Sequence, residues 1–386
     1  MINKIKALSD DYETELIKIR RLLHMIPECG FDVEKTSGIV FNKLIEYGYN
    51  PKRCGKAGVI AEVGKGDKCI LLRADMDALN IKEEANLSYK STNGNMHACG
   101  HDMHTAMLLG AARILKKIEE DLMFRVRLMF QPAEEILEGC KDMIINNVLD
   151  DVLCAVMIHI SSGTNLKSGS IIIPNAGVAT PSCDYFEINI IGSGSHSGMV
   201  ELGNNPIIPS VKIIDELCNI KDDVILTVSA VNAGEIANVV PSLATIKGTM
   251  RCYNEYKRIN TKIKINDIVS KIAKEYNVEG NIRYTNSCPS LLIDSKLNKD
   301  VSDIFKKHLN DNIVDVSNLN TKSSGSEDFA YVSNHIPTIL LSLSAGSIDE
   351  GYLYPLHHPK VMFNDDVLKI GAFIHSIIAY ELLKDN

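Results

Sequence analysis

The chain has 386 residues, 45 % hydrophobic and 23 % charged, the balance of a globular protein long enough for two domains. Its 41 Lys and Arg against 49 Asp and Glu give a formal net charge of −8 with no basic run, which argues against nucleic acid as a partner. No apolar run approaches the roughly 18 residues that cross a bilayer, so no membrane partner is expected, and ten cysteines scattered mostly through apolar stretches suit reduced thiols in the cytoplasm better than a disulfide framework.

The N-terminal stretch "MINKIKALSDDYETELIKIRRLLHMIPE" is charged and amphipathic and lacks a signal-peptide pattern. Apolar positions at spacings of three and four predict helices over 11–24 and 35–47. Four short apolar runs follow, "GVIAEVG", "CILLRADMDAL", "FRVRLMFQPAEE" and "LCAVMIHI", each ending in polar or charged residues. Helices predicted over 103–118 and 138–149 alternate with them, which predicts an α/β fold with a largely parallel sheet. The middle differs. "DYFEINIIGSGSHSG" alternates like a half-exposed strand, and a helix over 205–220 follows. Then come strands in "VILTVSAVNAG" and "LATIKGTMRCY", a helix over 258–276 and a strand in "GNIRYTNS". That β-α-β-β-α-β order predicts a separate α+β, ferredoxin-like unit with two helices on one face of one sheet. The α/β pattern resumes with "TILLSLSAG" and a helix over 366–383. The expected organisation is one domain formed by 1–182 and 295–386, interrupted by an inserted domain over 183–294. There is no internal repeat and no low-complexity segment.

Ligands of open α/β sheets bind off the carboxyl ends of the strands. Reactive residue types fall there: Asp75 and Asp77, Glu134 and Glu135, and His159. In "HACGHD", His97, Cys99 and His101 alternate, so an extended backbone would direct all three to one side. Thiolate and imidazole are good ligands for zinc and its neighbours; the alternative is a polar loop with a buried thiol. Glu134 and Glu135 are either a solvated helix start or a metal ligand beside a proton acceptor. His159 is either a satisfied core histidine or a ligand. Asp75 and Asp77 either form a salt-bridged trio with Arg73 or orient a metal ligand from behind. "YPLHHPK" places His357 and His358 in a proline-flanked loop.

These motifs occur in one order: "LHMIPECGF", "RADMDAL", "GNMHACGHDMHTAMLLGAARIL", "FQPAEE", "GSGSHSG", "AGEIANVVPSLATIKGTMR", "SGSEDFAY" and "LHHPK". In that order the chain resembles, over nearly its whole length, the amidohydrolase branch of the aminoacylase and carboxypeptidase G metallopeptidases. Hippurate hydrolase, the auxin-conjugate hydrolases and N-acetyldiaminopimelate deacetylase belong to that branch. The resemblance implies a dinuclear-metal exopeptidase-like catalytic domain with an inserted lid and dimerisation domain, hence a homodimer. It implies two divalent metal ions, zinc or manganese ahead of cobalt or nickel. Cys99, His101, Glu135, His159 and His357 resemble their ligands, Cys99 being shared, and His357 is preferred over His358 because it stands two positions before the proline. Glu134 resembles the general base. His196 resembles a histidine that reaches the partner subunit's site, and Asn238 and Arg251 resemble residues that hold the substrate's carboxylate or oxyanion. The implied reaction is hydrolysis of an N-acyl amino acid. A metallo-dipeptidase or aminopeptidase is the alternative, with a metal-binding protein devoid of turnover behind it. Val200 and Asn205 depart from the family's usual proline and aspartate, so no particular substrate is carried over.

Overall fold

The structure, a computed structural model, describes residues 1–221, 223–309, 313–314 and 325–382. In chain order it begins with α1 (Ile2–Asp11), α2 (Glu13–His24), α3 (Glu34–Glu46), β1 (Lys52–Cys54), β2 (Gly58–Val63) and β3 (Cys69–Asp75). Next come α4 (His101–Lys117), β4 (Arg125–Gln131), α5 (Gly139–Ile145), β5 (Val152–Ser161), β6 (Ile171–Ile172) and β7 (Gly177–Thr180). The middle holds β8 (Ser182–Ile191), β9 (Ser195–His196), α6 (Ile207–Cys218), β10 (Val224–Ala233), β11 (Val239–Val240), β12 (Leu243–Cys252), α7 (Glu255–Glu275), β13 (Glu279–Cys288) and β14 (Leu291–Ile293). The chain closes with α8 (Ser295–His308), β15 (Ile313–Val314), α9 (Ala330–Ser333), β16 (Thr338–Ser344) and α10 (Leu368–Glu381); residue 383, the last of the helix predicted there, lies outside the described residues. The chain folds into two compact units. One holds Met1–Ala179, the stretch from Leu292 and the chain from Asp328 onward; the other holds Thr180–Leu291 together with residues 325–327.

The first unit is built on an eight-stranded sheet in the order β1-β2-β4-β3-β5-β16-β6-β15. Its centre, β4-β3-β5-β16, is parallel. These strands are apolar almost throughout because the sheet interior is closed on both faces; β3 is buried at every position. The flank β1-β2-β4 is antiparallel. Only three residues separate β1 from β2, too few for the crossover that a parallel pair requires. The sheet is therefore mixed: parallel through its centre, antiparallel along β1-β2-β4 and between β16 and β6, and parallel again in the short edge pair β6-β15. Helix α4 packs on β3 and β5 and is covered by α2, α3 and α10. It is buried on nearly every side, as its apolar sequence "MLLGAARIL" requires. The sequence pattern did not predict α1 or α8, although α8 carries the stripe Leu297, Val301, Ile304 and Phe305 and an Asp294 cap that accepts from the Leu297 N–H at 2.7 Å.

The second unit has an antiparallel sheet in the order β10-β12-β8-β13, with α6 and α7 packed on it. Phe186, Ile188, Ile190, Ile213, Leu217, Ile246, Met250, Ile265 and Val269 make a core of its own. Numbered along the chain, the strand order 4-1-3-2 is that of a ferredoxin-like unit. Arg251 pairs with Cys183 at the sheet end where the chain enters at Thr180 and leaves at Leu291. At the other end, where Leu243 pairs with Ile191, the short ribbon β9–β11 extends. Among the described residues no helix is long and apolar enough to cross a membrane.

Candidate metal centre

The carboxyl ends of the central strands deliver the site. Cys99 and His101 are separated by Gly100, which lies at φ +82° and begins α4. A Cβ there would stand 2.3 Å from Ile160 Cδ1, so glycine alone allows the chain to turn between the two side chains. The His101 Nδ1–H donates to the Asp77 carbonyl at 2.8 Å, which turns Nε2 toward the two acids as the nitrogen a cation would take. That Nε2 stands 3.8 Å from Glu135 Oε1 and 4.0 Å from Glu134 Oε2. The Asp77 carboxylate accepts the Glu134 and Glu135 N–H groups at 3.0 and 3.1 Å and so fixes the turn that carries both acids. His159 Nε2 is 3.6 Å from Cys99 Sγ, while its Nδ1–H donates to the Ile160 carbonyl at 2.7 Å. His357 Nε2 is 3.7 Å from Glu135 Oε1. Backbone strain gathers at the same loops: Ala133, Leu137 and His357 all have positive φ.

Donor atoms within 4.8 Å of one another form the groups Cys99–His101–His159, Cys99–Glu135–His357 and His101–Glu134–Glu135. Two ligands of one tetrahedral ion, each 2.0–2.3 Å from it, stand about 3.3–3.8 Å apart. The 3.6–3.8 Å separations between Cys99 and His159, His101 and Glu135, and His357 and Glu135 match that spacing, and the two imidazole–carboxylate separations are too long for hydrogen bonds. Electrostatics agree. Burial pushes the Cys99 thiol far above its ordinary range, and His101 offsets this only in part. A thiolate at that depth calls for a cation. Burial also opposes charge on His101, but Asp75 and Cys99 outweigh it and hold its pKa well above the usual value. The residues therefore fit divalent metal.

Several placements differ from the sequence expectation. His97 does not join Cys99 and His101, because the backbone between them is not extended. It is buried beside His24, ring centroids 6.4 Å apart, with neither ring nitrogen hydrogen-bonded. His358 stacks on Tyr354 at 4.2 Å, while His357 faces Glu135. Asp75 is salt-bridged to Arg73 at 2.6 Å and also lies 3.6 Å from His101 Nε2. Three residues to which the sequence motifs assigned no role support the first turn of α4. Asp102 is bound by Arg20 Nε and His24 Nδ1, each at 2.8 Å, and His24 Nε2 reaches Glu83 at 3.1 Å. Burial and then Arg20 work against a charge on His24, yet Asp102 and Glu83 raise its pKa.

His196, Asn238 and Arg251 belong to the second unit. His196 pairs with Val239 across the β9–β11 ribbon, and the Asn238 carbonyl accepts from the Ser197 N–H at 3.1 Å, so these two residues sit together. Arg251 Nη1 donates to Ser326 Oγ at 2.8 Å. Eight residue steps along β12, about 26 Å of extended chain, separate Arg251 from Leu243 at the ribbon end.

A model of peptidase family M20/M25/M40 matches residues 71–380. The chain is 33 % identical over 385 residues to IAA-amino acid hydrolase ILR1-like 2 of Arabidopsis thaliana, covering 96 % of this chain and 86 % of that protein. It is 32 % identical over 391 residues to N-acetyl-L-cysteine deacetylase of Bacillus subtilis (strain 168), covering 97 % and 89 %. Among solved structures it matches the Bacillus subtilis YXEP protein, described as a dinuclear metal binding peptidase from the M20 family, with a TM-score of 0.81 and 29 % identity over 98 % of this chain and 100 % of that one. The resemblance read from the motifs is borne out: the chain belongs to peptidase family M20/M25/M40, and its chemistry is the hydrolysis of amide bonds.

Proposed function

We propose that the protein cleaves N-acyl amino acids to a carboxylic acid and a free amino acid, using two divalent cations held by Cys99, His101, Glu135, His159 and His357. Zinc or manganese is the first choice for thiolate, imidazole and carboxylate donors, with cobalt or nickel next. The observation that carries this reading is that Cys99 belongs to two donor groups at once, while Glu134 stands within 4.8 Å of His101 and Glu135 as a further carboxylate. Cations held there would supply Lewis acidity for the amide carbonyl and for a water. Glu134 accepts the proton of that water and returns it to the departing nitrogen, which must leave as a neutral amine. His196 and Asn238 stabilise the charge on the carbonyl oxygen. Arg251 offers a planar fork that suits an α-carboxylate and selects small-molecule acyl amino acids over plain amides.

The test is a panel of N-acetyl and N-benzoyl amino acids and dipeptides, assayed after chelation and after return of zinc, manganese, cobalt or nickel. Expected are silence after chelation, recovery with metal, and faster cleavage of the acyl amino acids. Preferential cleavage of dipeptides, or turnover indifferent to chelation, would overturn the reading. All ten cysteines are free thiols, which supports a reducing cytoplasm.

The inserted unit serves as lid and dimerisation domain in this reading. The ribbon bearing His196 and Asn238 lies at the sheet end remote from both chain crossings, which favours service to the centre of a second copy. Mixing Glu134→Gln with His196→Ala subunits, each inactive alone, should then restore activity in heterodimers. No recovery in mixtures proven by mass to have exchanged subunits would count against action across a homodimer.

A further inference from the structure

The ladder between β3 and β5 ends at Arg73 and Met157. Past that point β3 continues to Asp75 and β5 to His159 and Ile160, and a side chain takes the place of the ladder. His104, one turn along α4 from His101 and buried, lies between the two strand ends. Its Nδ1 is 2.6 Å from Asp75 Oδ1, and its Nε2 is 2.9 Å from the Ile160 nitrogen. A backbone N–H can only donate, so Nε2 is the bare nitrogen and Nδ1 carries the proton that is given to Asp75. The partners thus select one tautomer.

Ile160 is the pivot of the arrangement. Its N–H is taken by His104, and its carbonyl takes the His159 Nδ1–H at 2.7 Å. The peptide that His104 clamps is therefore continuous with the residue whose carbonyl sets the tautomer and direction of His159. The His104 ring also lies edge-on to His159 at 4.5 Å and tilted against His101 at 5.4 Å. On its other arm, Asp75 reaches within 3.6 Å of His101 Nε2.

We propose that His104 is a positioning residue which, as the Nδ1–H tautomer, directs His159 Nε2 toward Cys99 through the Ile160 N–H and holds the Asp75 carboxylate beside His101. It touches neither substrate nor cation. The inference rests on the reading of His101 and His159 as ligands.

The test uses the whole protein and the two amides that copy one half of an imidazole each. The amide of His104→Gln falls near the Nε2 position, where its oxygen can accept the Ile160 N–H. That of His104→Asn falls near Nδ1, where it can donate to Asp75 but leaves the Ile160 N–H unserved. Zinc affinity and stoichiometry are measured by competition with a chromogenic chelator, alongside thermal unfolding of the chelated proteins. His104→Asn should lose about 10- to 100-fold in affinity for one zinc ion, the usual scale for a residue that orients a ligand. His104→Gln should lose clearly less, although both variants unfold at similarly reduced temperatures. Equal losses in the two variants, or none in either, would reduce His104 to packing and overturn the proposal. His159→Ala is the control that separates the two ideas. If it binds zinc as the wild type does, the ligand reading fails; if it loses an ion while His104→Asn does not, only the role of His104 fails. A measurement on the wild type needs no variant to fold: nitrogen NMR of labelled histidines should show His104 protonated at Nδ1 and bare at Nε2. The opposite tautomer would overturn the proposal.

Discussion

Glu134→Gln should leave the protein folded and loaded with cations while kcat falls by roughly 10²- to 10⁴-fold, the scale of general acid–base catalysis. The side chain is buried, and the turn that carries it is held by its own N–H on the Asp77 carboxylate. Glutamine preserves that backbone contact, the size of the side chain and an acceptor oxygen. It removes the negative charge and, with it, the ability to take a proton. Cation content by elemental analysis and turnover at saturating substrate are the two measurements. Near-wild-type turnover of the loaded variant would sink the assignment of the base. Loss of one cation would instead make Glu134 a ligand.

The second large effect is structural. Arg73 is fully buried and binds Asp75 at 2.6 Å, Asp328 at 3.1 Å and Gln131 at 2.8 Å. Gln131 and the Cys140 N–H also donate to Asp328. Arg73→Met conserves much of the volume but leaves two buried carboxylates without their cation, which costs about 3–5 kcal/mol. Urea unfolding of chelated protein at pH 7 measures it, and a loss below about 1 kcal/mol would refute the account. The pH dependence has a definite sign. Burial alone would raise the pKa of Asp75, but His101, Arg73 and His104 hold it well below the ordinary carboxylate range. Such a group adds stability above its unfolded pKa, near 4, and loses it as the pH falls toward the folded value. Removing Arg73 raises the folded pKa, so the deficit of the variant is largest at neutral pH and narrows in acid.

The strands that bear the site were legible because their burial is simple. β3 and β5 lie inside the sheet, so apolar residues run without a break until a polar residue marks the end, as in "CILLRAD" and "LCAVMIHI". β1, β6 and β15 have two or three residues each, too few for any period to show. In "HACGHDMH" the period itself changes within the motif. Alternation predicts His97 beside Cys99, but Gly100 turns the chain left-handed and starts a helix, so the relevant spacing becomes the three residues from His101 to His104. A glycine followed by a helical pattern was the available signal. Asp328 had none: it meets Arg73 across 255 residues of chain, and nothing local marks that partnership.

The place of β16 in the sheet has a consequence for synthesis. It lies between β5 and β6, yet it follows both in the chain, with the whole second unit made in the interval. At about 5–20 residues per second, translation from Ser161 to Thr338 lasts roughly 9–35 s. Throughout that time β5 can pair with β3 on one side only, and its other edge presents bare peptide groups flanked by "AVMI". Such an edge is a template for wrong partners, including the β5 of a neighbouring nascent chain on the same messenger. The inserted unit, with strands and core of its own, can meanwhile complete its fold and leaves no spare strand to fill the gap. The slow and vulnerable event in making this enzyme is thus the late pairing of one seven-residue strand with an edge of β5 that has stood open since its own synthesis.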